Sequence, residues 1–116
     1  MSSIDSCLVG IEKINQRILA EPEEERRKHI RERSVSVVVP DLATAFDMRL
    51  TLDGLADVAH RSLDLPSPKP QVRITVDSDG LVALAEGRLD ATRALLTRRV
   101  RVEAAVGDLL RMRRLL

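Results

Sequence analysis

Gln71-Val-Arg-Ile-Thr-Val-Asp-Ser-Asp-Gly-Leu-Val-Ala-Leu-Ala-Glu-Gly87 changes its period in the middle. Up to Val76 apolar and polar residues alternate, which places Val72, Ile74 and Val76 on one face of a strand. Asp77, Ser78 and Asp79 then supply capping side chains. Leu81, Val82, Leu84 and Ala85 follow at helical spacing as far as Gly87, whose missing Cβ suits the left-handed turn that ends many helices. Downstream, a short helix is expected from about Asp90, burying Ala94 and Leu95 with Leu96 a further candidate. Arg99-Val-Arg-Val-Glu103 alternates strictly and predicts a last strand. Val106 to Leu116 reads as a closing amphipathic helix, with Val106, Leu109, Leu110 and Leu116 on its apolar side and Arg111, Arg113 and Arg114 near its end.

Working back toward the N-terminus, Ile4, Cys7, Leu8, Ile11, Ile14 and Ile18 fall three and four apart, so residues 3 to 19 predict a helix. Gly10 weakens that helix by about 1 kcal/mol relative to Ala, and the packing of its apolar stripe must hold it together. Cys7 lies on the stripe and reads as a small buried hydrophobe. Residues 21 to 33 form a charge run with acids first and bases later. Pro22 suits a first helical position, and the pairs Glu23/Arg27 and Glu24/Lys28 predict a short exposed helix. Ser34 to Val39 is the most β-prone segment and reads as a central strand with apolar contacts on both faces. Phe46, Met48, Leu50 and Leu52 alternate with polar residues, and Asp53-Gly54 predicts a two-residue hairpin loop returning through about Leu55 to Ser62, with Val58 facing the core. Three prolines between Leu65 and Pro70 require a stiff loop.

One domain is what 116 residues allow, with a helical segment over residues 1–33 and the sheet and closing helices over residues 34–116. A content of 44% apolar and 32% charged residues reads as soluble. One cysteine, no signal-like segment and an Arg-Arg-Leu-Leu end lead us to expect a cytoplasmic, bacterial-type protein. A net charge of +1 and a single aromatic residue, Phe46, argue against nucleic acid as a partner. Charge is nevertheless uneven: residues 88 to 116 hold eight arginines against Asp90, Glu103 and Asp108. That excess complements helix and strand ends or meets a membrane surface or an acidic protein.

The succession Val72-Arg-Ile-Thr-Val-Asp-Ser-Asp79, Leu84-Ala-Glu-Gly-Arg-Leu-Asp90 and Val100-Arg-Val-Glu103, followed by an apolar helix, resembles the C-terminal half of the sterol carrier protein type-two (SCP2-like) family of intracellular lipid-binding domains. The resemblance implies an α+β fold in which about five helices cover a five-stranded sheet and leave an apolar cavity between the layers. On that arrangement Phe46, Met48, Leu50, Ile74, Leu81, Leu84, Leu95, Leu109 and Met112 are the expected ligand-binding residues. The sequence departs from the family at Arg98 and Ala104, where members commonly carry glycines on either side of the last strand. Either the turns take another form there or the chain is a divergent member.

No phosphate loop, nucleophile elbow or metal-spaced histidine pair occurs in the sequence, and no cofactor is implied. Asp77 and Asp79 read as caps rather than as a catalytic pair, and His60 as a rim residue. Two readings stay open. One is a non-enzymatic carrier of a sterol, fatty-acyl chain or other long apolar ligand. The other is an accessory or dimerisation module, forming homo-oligomers or docking to an enzyme of lipid, isoprenoid or quinone metabolism.

Overall fold

The computed structural model describes residues 1–115, with side chains through Leu110. Two helices come first, α1 at Ile4–Ala20 and α2 at Glu23–His29. Strands β1 (Arg33–Val39), β2 (Thr44–Thr51), β3 (Gly54–Ser62) and β4 (Val72–Val76) follow, with a 3-10 turn at Pro40–Leu42. The chain finishes with α3 (Ser78–Ala85), α4 (Ala91–Leu96), β5 (Val100–Glu103) and α5 (Val106–Leu115). The strands form one mixed sheet in the order β3-β2-β1-β4-β5, in which β1 runs antiparallel to β2 and parallel to β4.

The register explains the core. Val37 lies between Phe46 and Ile74, and Ile74 lies beside Val102, so one row of apolar side chains crosses β2, β1, β4 and β5 on a single face. Helix α1 covers this face from above, and Cys7 and Ile11 are buried against it. A Cβ added at Gly10 would lie 3.2 Å from the Ala85 Cβ, so the glycine that weakens α1 also lets α3 approach closely. Arg17 caps the same contact by donating to the Leu84 carbonyl at 3.0 Å and to that of Ala85. Asn15 holds the other side, its Oδ1 accepting from the Leu55 amide at 2.8 Å.

The opposite face of the sheet is mixed. Ser36 is buried there and donates to Asp47, which also accepts from Arg61 at 2.6 Å. Val38 lies on the same face, half-buried and paired with the buried Ala45, so the central strand has apolar residues on both faces, with an ionic network beside them on the outer one.

Several expectations shift by one or two residues. Pro22 is the N-cap of α2, and Lys28 pairs with Glu25 at 3.6 Å, while Arg27 meets Glu23 at 2.8 Å. The hairpin loop is Leu52-Asp53, with Gly54 opening β3 at φ 97°. Val58 does not reach the core: Asp57, at φ 56°, and Val58 together stand opposite Met48 in a β-bulge, leaving Val58 39% exposed. Helix α4 is capped by Asp90 and buries Ala94, yet Leu95 and Leu96 are exposed. In α5 Val106 and Leu110 also face out, and Leu116 lies outside the described residues.

The departure at the last strand resolves as well. Arg98 adopts φ 60° and makes the left-handed turn that a glycine would make without strain, while Ala104 is not left-handed.

Candidate functional site

The nine expected lining residues separate into three groups. Phe46, Met48 and Leu81 are 0%, 6% and 4% exposed and pack in one core cluster. Leu50, Ile74 and Leu84 are partly buried and rest against that cluster. Leu95 and Leu109 are exposed, and the side chain of Met112 lies outside the described residues. Partial burial is spread across the face: Leu50 on β2 and Leu55 on β3 share it with Ile74 and Val102, while Val72, Val76 and Val100 on β4 and β5 are buried in the core cluster. Leu89 and Ala104 are partly buried as well. Val102 alternates with Val100 in the last strand, and that alternation was a sufficient signal to include it.

Among the described residues, two open concavities are notable. One of about 270 Å³ sits over α1 and α3 between Ser2, Asp5, Val9, Lys13 and Val82. The other, of about 360 Å³, lies where the start of β4 meets the end of β5, between Gln71, Arg73, Val102 and Ala104, with Lys69 at its rim. None of the expected residues with described side chains lines either, but Val102 and Ala104, at the second, also pack against the core cluster.

Titratable groups are engaged elsewhere. Asp77 caps α3 by accepting from the Gly80 amide at 3.0 Å. Asp79 accepts from the Ser2 hydroxyl at 2.7 Å, and that bond, with the nearby N-terminal amine, holds its carboxyl below the usual carboxylate range. Burial pushes the Cys7 thiol up, with a smaller contribution from the charge of Asp41. His60 is exposed at the sheet edge, its ring 6.3 Å from that of Phe46. Among the described residues there is no cluster of three or more side chains able to hold a metal ion, and no helix long and apolar enough to cross a membrane.

The sequence pattern of the SCP-2 sterol transfer family matches residues 11–116. The chain belongs to that family. No match is found among curated protein sequences. Sterol carrier protein 2 like 2 of the mosquito Aedes aegypti shares the fold, with 16% identity, a TM-score of 0.66 and 97% of each chain covered. In its palmitated solution form that protein gives 15% identity and 0.61, covering 96% of this chain and 91% of its own. A conserved hypothetical protein of Thermus thermophilus, described as possibly a sterol carrier protein, gives 15% and 0.62, over 99% of this chain and 81% of that one. A sec-alkylsulfatase from Pseudomonas contains a similar segment at 20% identity and 0.56, covering 82% of this chain and 14% of its own. At these identities the likenesses establish the fold, and the sulfatase segment brings no activity with it.

Proposed function

We propose that the protein binds a long apolar ligand, a fatty-acyl chain or a sterol, over the β4 and β5 half of the inner sheet face, and carries it without chemistry of its own. The observation that carries the reading is membership of a sterol transfer family, and Ile74, Leu84 and Val102, partly buried against the core cluster, are the inner-face residues that support the place. Phe46, Met48 and Leu81 form the floor, and Leu95, Leu109 and Met112 belong to the helices that would close over the ligand. The 360 Å³ concavity beside Val102 is the natural mouth, at the lower end of the ~300–1,000 Å³ usual for ligand pockets. At that mouth Lys69 suits a carboxylate head group, while Arg73 is already paired with Glu103 of the same lining at 3.9 Å.

Burial of the chain supplies most of the binding energy. Ten methylenes leaving water contribute about 8 kcal/mol before association costs, so micromolar affinity calls for a longer chain or for head-group contacts as well. Mass spectrometry of solvent extracts of the purified protein should find copurified acyl chains or sterols. Titration of the delipidated protein with a fluorescent fatty acid should saturate at one site. A folded, delipidated protein that takes up neither a fluorescent fatty acid nor a fluorescent sterol would remove the proposal and leave the scaffold.

A further inference from the structure

The corner joining α4 to β5 is exposed along its whole length: Leu95, Leu96, Thr97, Arg98 and Arg99 all face solvent, and Leu96 is 80% exposed. Arg93 lies one helical turn before Leu96 on the same side of α4, and Arg101 follows on the edge strand. Among the described residues no ion pair engages Arg93, Arg98 or Arg101, while Arg99 approaches Asp77 at 3.6 Å. The result is an exposed leucine tip with the guanidinium groups of Arg93 and Arg98 beside it in the chain, and Arg101 beyond them on the outer face of the edge strand.

Arg98 adds an independent observation. It holds the left-handed conformation of the turn, φ 60°, where a glycine would be unstrained. Its side chain is exposed and accepts that backbone cost without a hydrogen-bonded partner among the described residues. A position that tolerates strain to present a cation to solvent points to a negatively charged partner.

We infer that this corner docks the protein on an anionic lipid bilayer, with Leu96 entering the boundary between headgroups and acyl chains while Arg93 and Arg98 meet lipid phosphates and carboxylates. A bilayer fits better than an acidic protein because of size. A six-residue helix and its turn offer far less than the ~800 Å² per partner of a stable protein interface. One inserted leucine and a few cations are the usual elements of reversible membrane attachment. The docking does not depend on an internal ligand, and it holds whether or not the protein carries one.

Flotation of the full chain with vesicles tests this. Vesicles of phosphatidylcholine and phosphatidylserine in equal amounts should retain the protein, pure phosphatidylcholine vesicles should retain much less, and added salt should weaken retention. Leu96→Ser should lower retention about tenfold. Arg98→Gly should lower it about fivefold while raising the thermal midpoint, which separates loss of the cation from loss of the fold. Lys13→Gln, on the exposed side of α1, should change retention little. Equal retention on both vesicle types, no retention on either, or a Lys13→Gln loss as large as that of Arg98→Gly would overturn the inference.

Discussion

The Ser78 hydroxyl is fully buried at the start of α3 and joins three parts of the chain. It donates to Asp41, accepts from the Ser2 amide at 2.9 Å, and sits on a residue whose own amide donates to Asp41 at 2.9 Å. Ser78→Ala strands the Asp41 oxygen and the Ser2 amide, and should cost about 1–3 kcal/mol in urea unfolding. The capping residues of α3 were legible from Asp77-Ser-Asp79, and Asp77 does cap. Ser78's partner was not, because Asp41 is 37 residues away and only the 3-10 turn brings it there. Cys7 was legible as core from its place in the α1 stripe. Its raised thiol pKa means that the folded protein keeps a proton which the unfolded chain releases. Stability from this group is complete below the ordinary thiol range and is lost as pH rises through the higher folded value. The native thiol should therefore resist alkylation at mildly alkaline pH and react at once in denaturant, and equal rates in both conditions would contradict its burial.

Among the elements, α5 is tied to the sheet by a partly buried ion pair. Val106, Leu109 and Leu110 are exposed, while Asp108 is buried and accepts from the Arg33 Nε at 3.0 Å through both carboxylate oxygens. The first residue of β1 thus anchors the last helix across 75 positions. Asp108→Ala should cost about 2 kcal/mol, less than a fully buried pair because Arg33 stays partly in water. Amide exchange should accelerate in residues 106–110 and remain unchanged in β1 and β2. Equal acceleration throughout would mean that α5 is integral to the core. Periodicity gave the existence and the start of α5 but not its burial, since a hydrophobic stripe states which side could be covered and not whether anything covers it. The same holds for Leu95 and Leu96 in α4. In β3 the miss has a different cause: alternation assumes an unbroken pleat, and the bulge at Asp57 and Val58 adds one residue that no local pattern announces.

Across the whole molecule, strand count was readable because β2, β4 and β5 alternate, β1 is a β-branched run and Asp53-Gly54 announces the return into β3. The β1–β4 parallel pairing was not readable, since it joins segments separated by the hairpin and the proline loop. A ligand cavity depends on how far two layers stand apart, and no run of residues encodes that distance. Ile74 is where it can be tested, being central on the inner face, half-buried, and flanked by Val37 and Val102. Ile74→Trp introduces a side chain too large for a filled core. Where the layers are in firm contact, overpacking costs about 1–3 kcal/mol and fatty-acid uptake, if it occurs elsewhere, is unaffected. Where a ligand lies over β4 and β5, the indole occupies its place: the thermal midpoint holds within a few degrees while affinity for a fluorescent fatty acid falls about tenfold. We expect the second result. Phe46→Leu should differ in kind, losing stability first while uptake per folded molecule falls less than in Ile74→Trp, because the ring is fully buried in the core cluster.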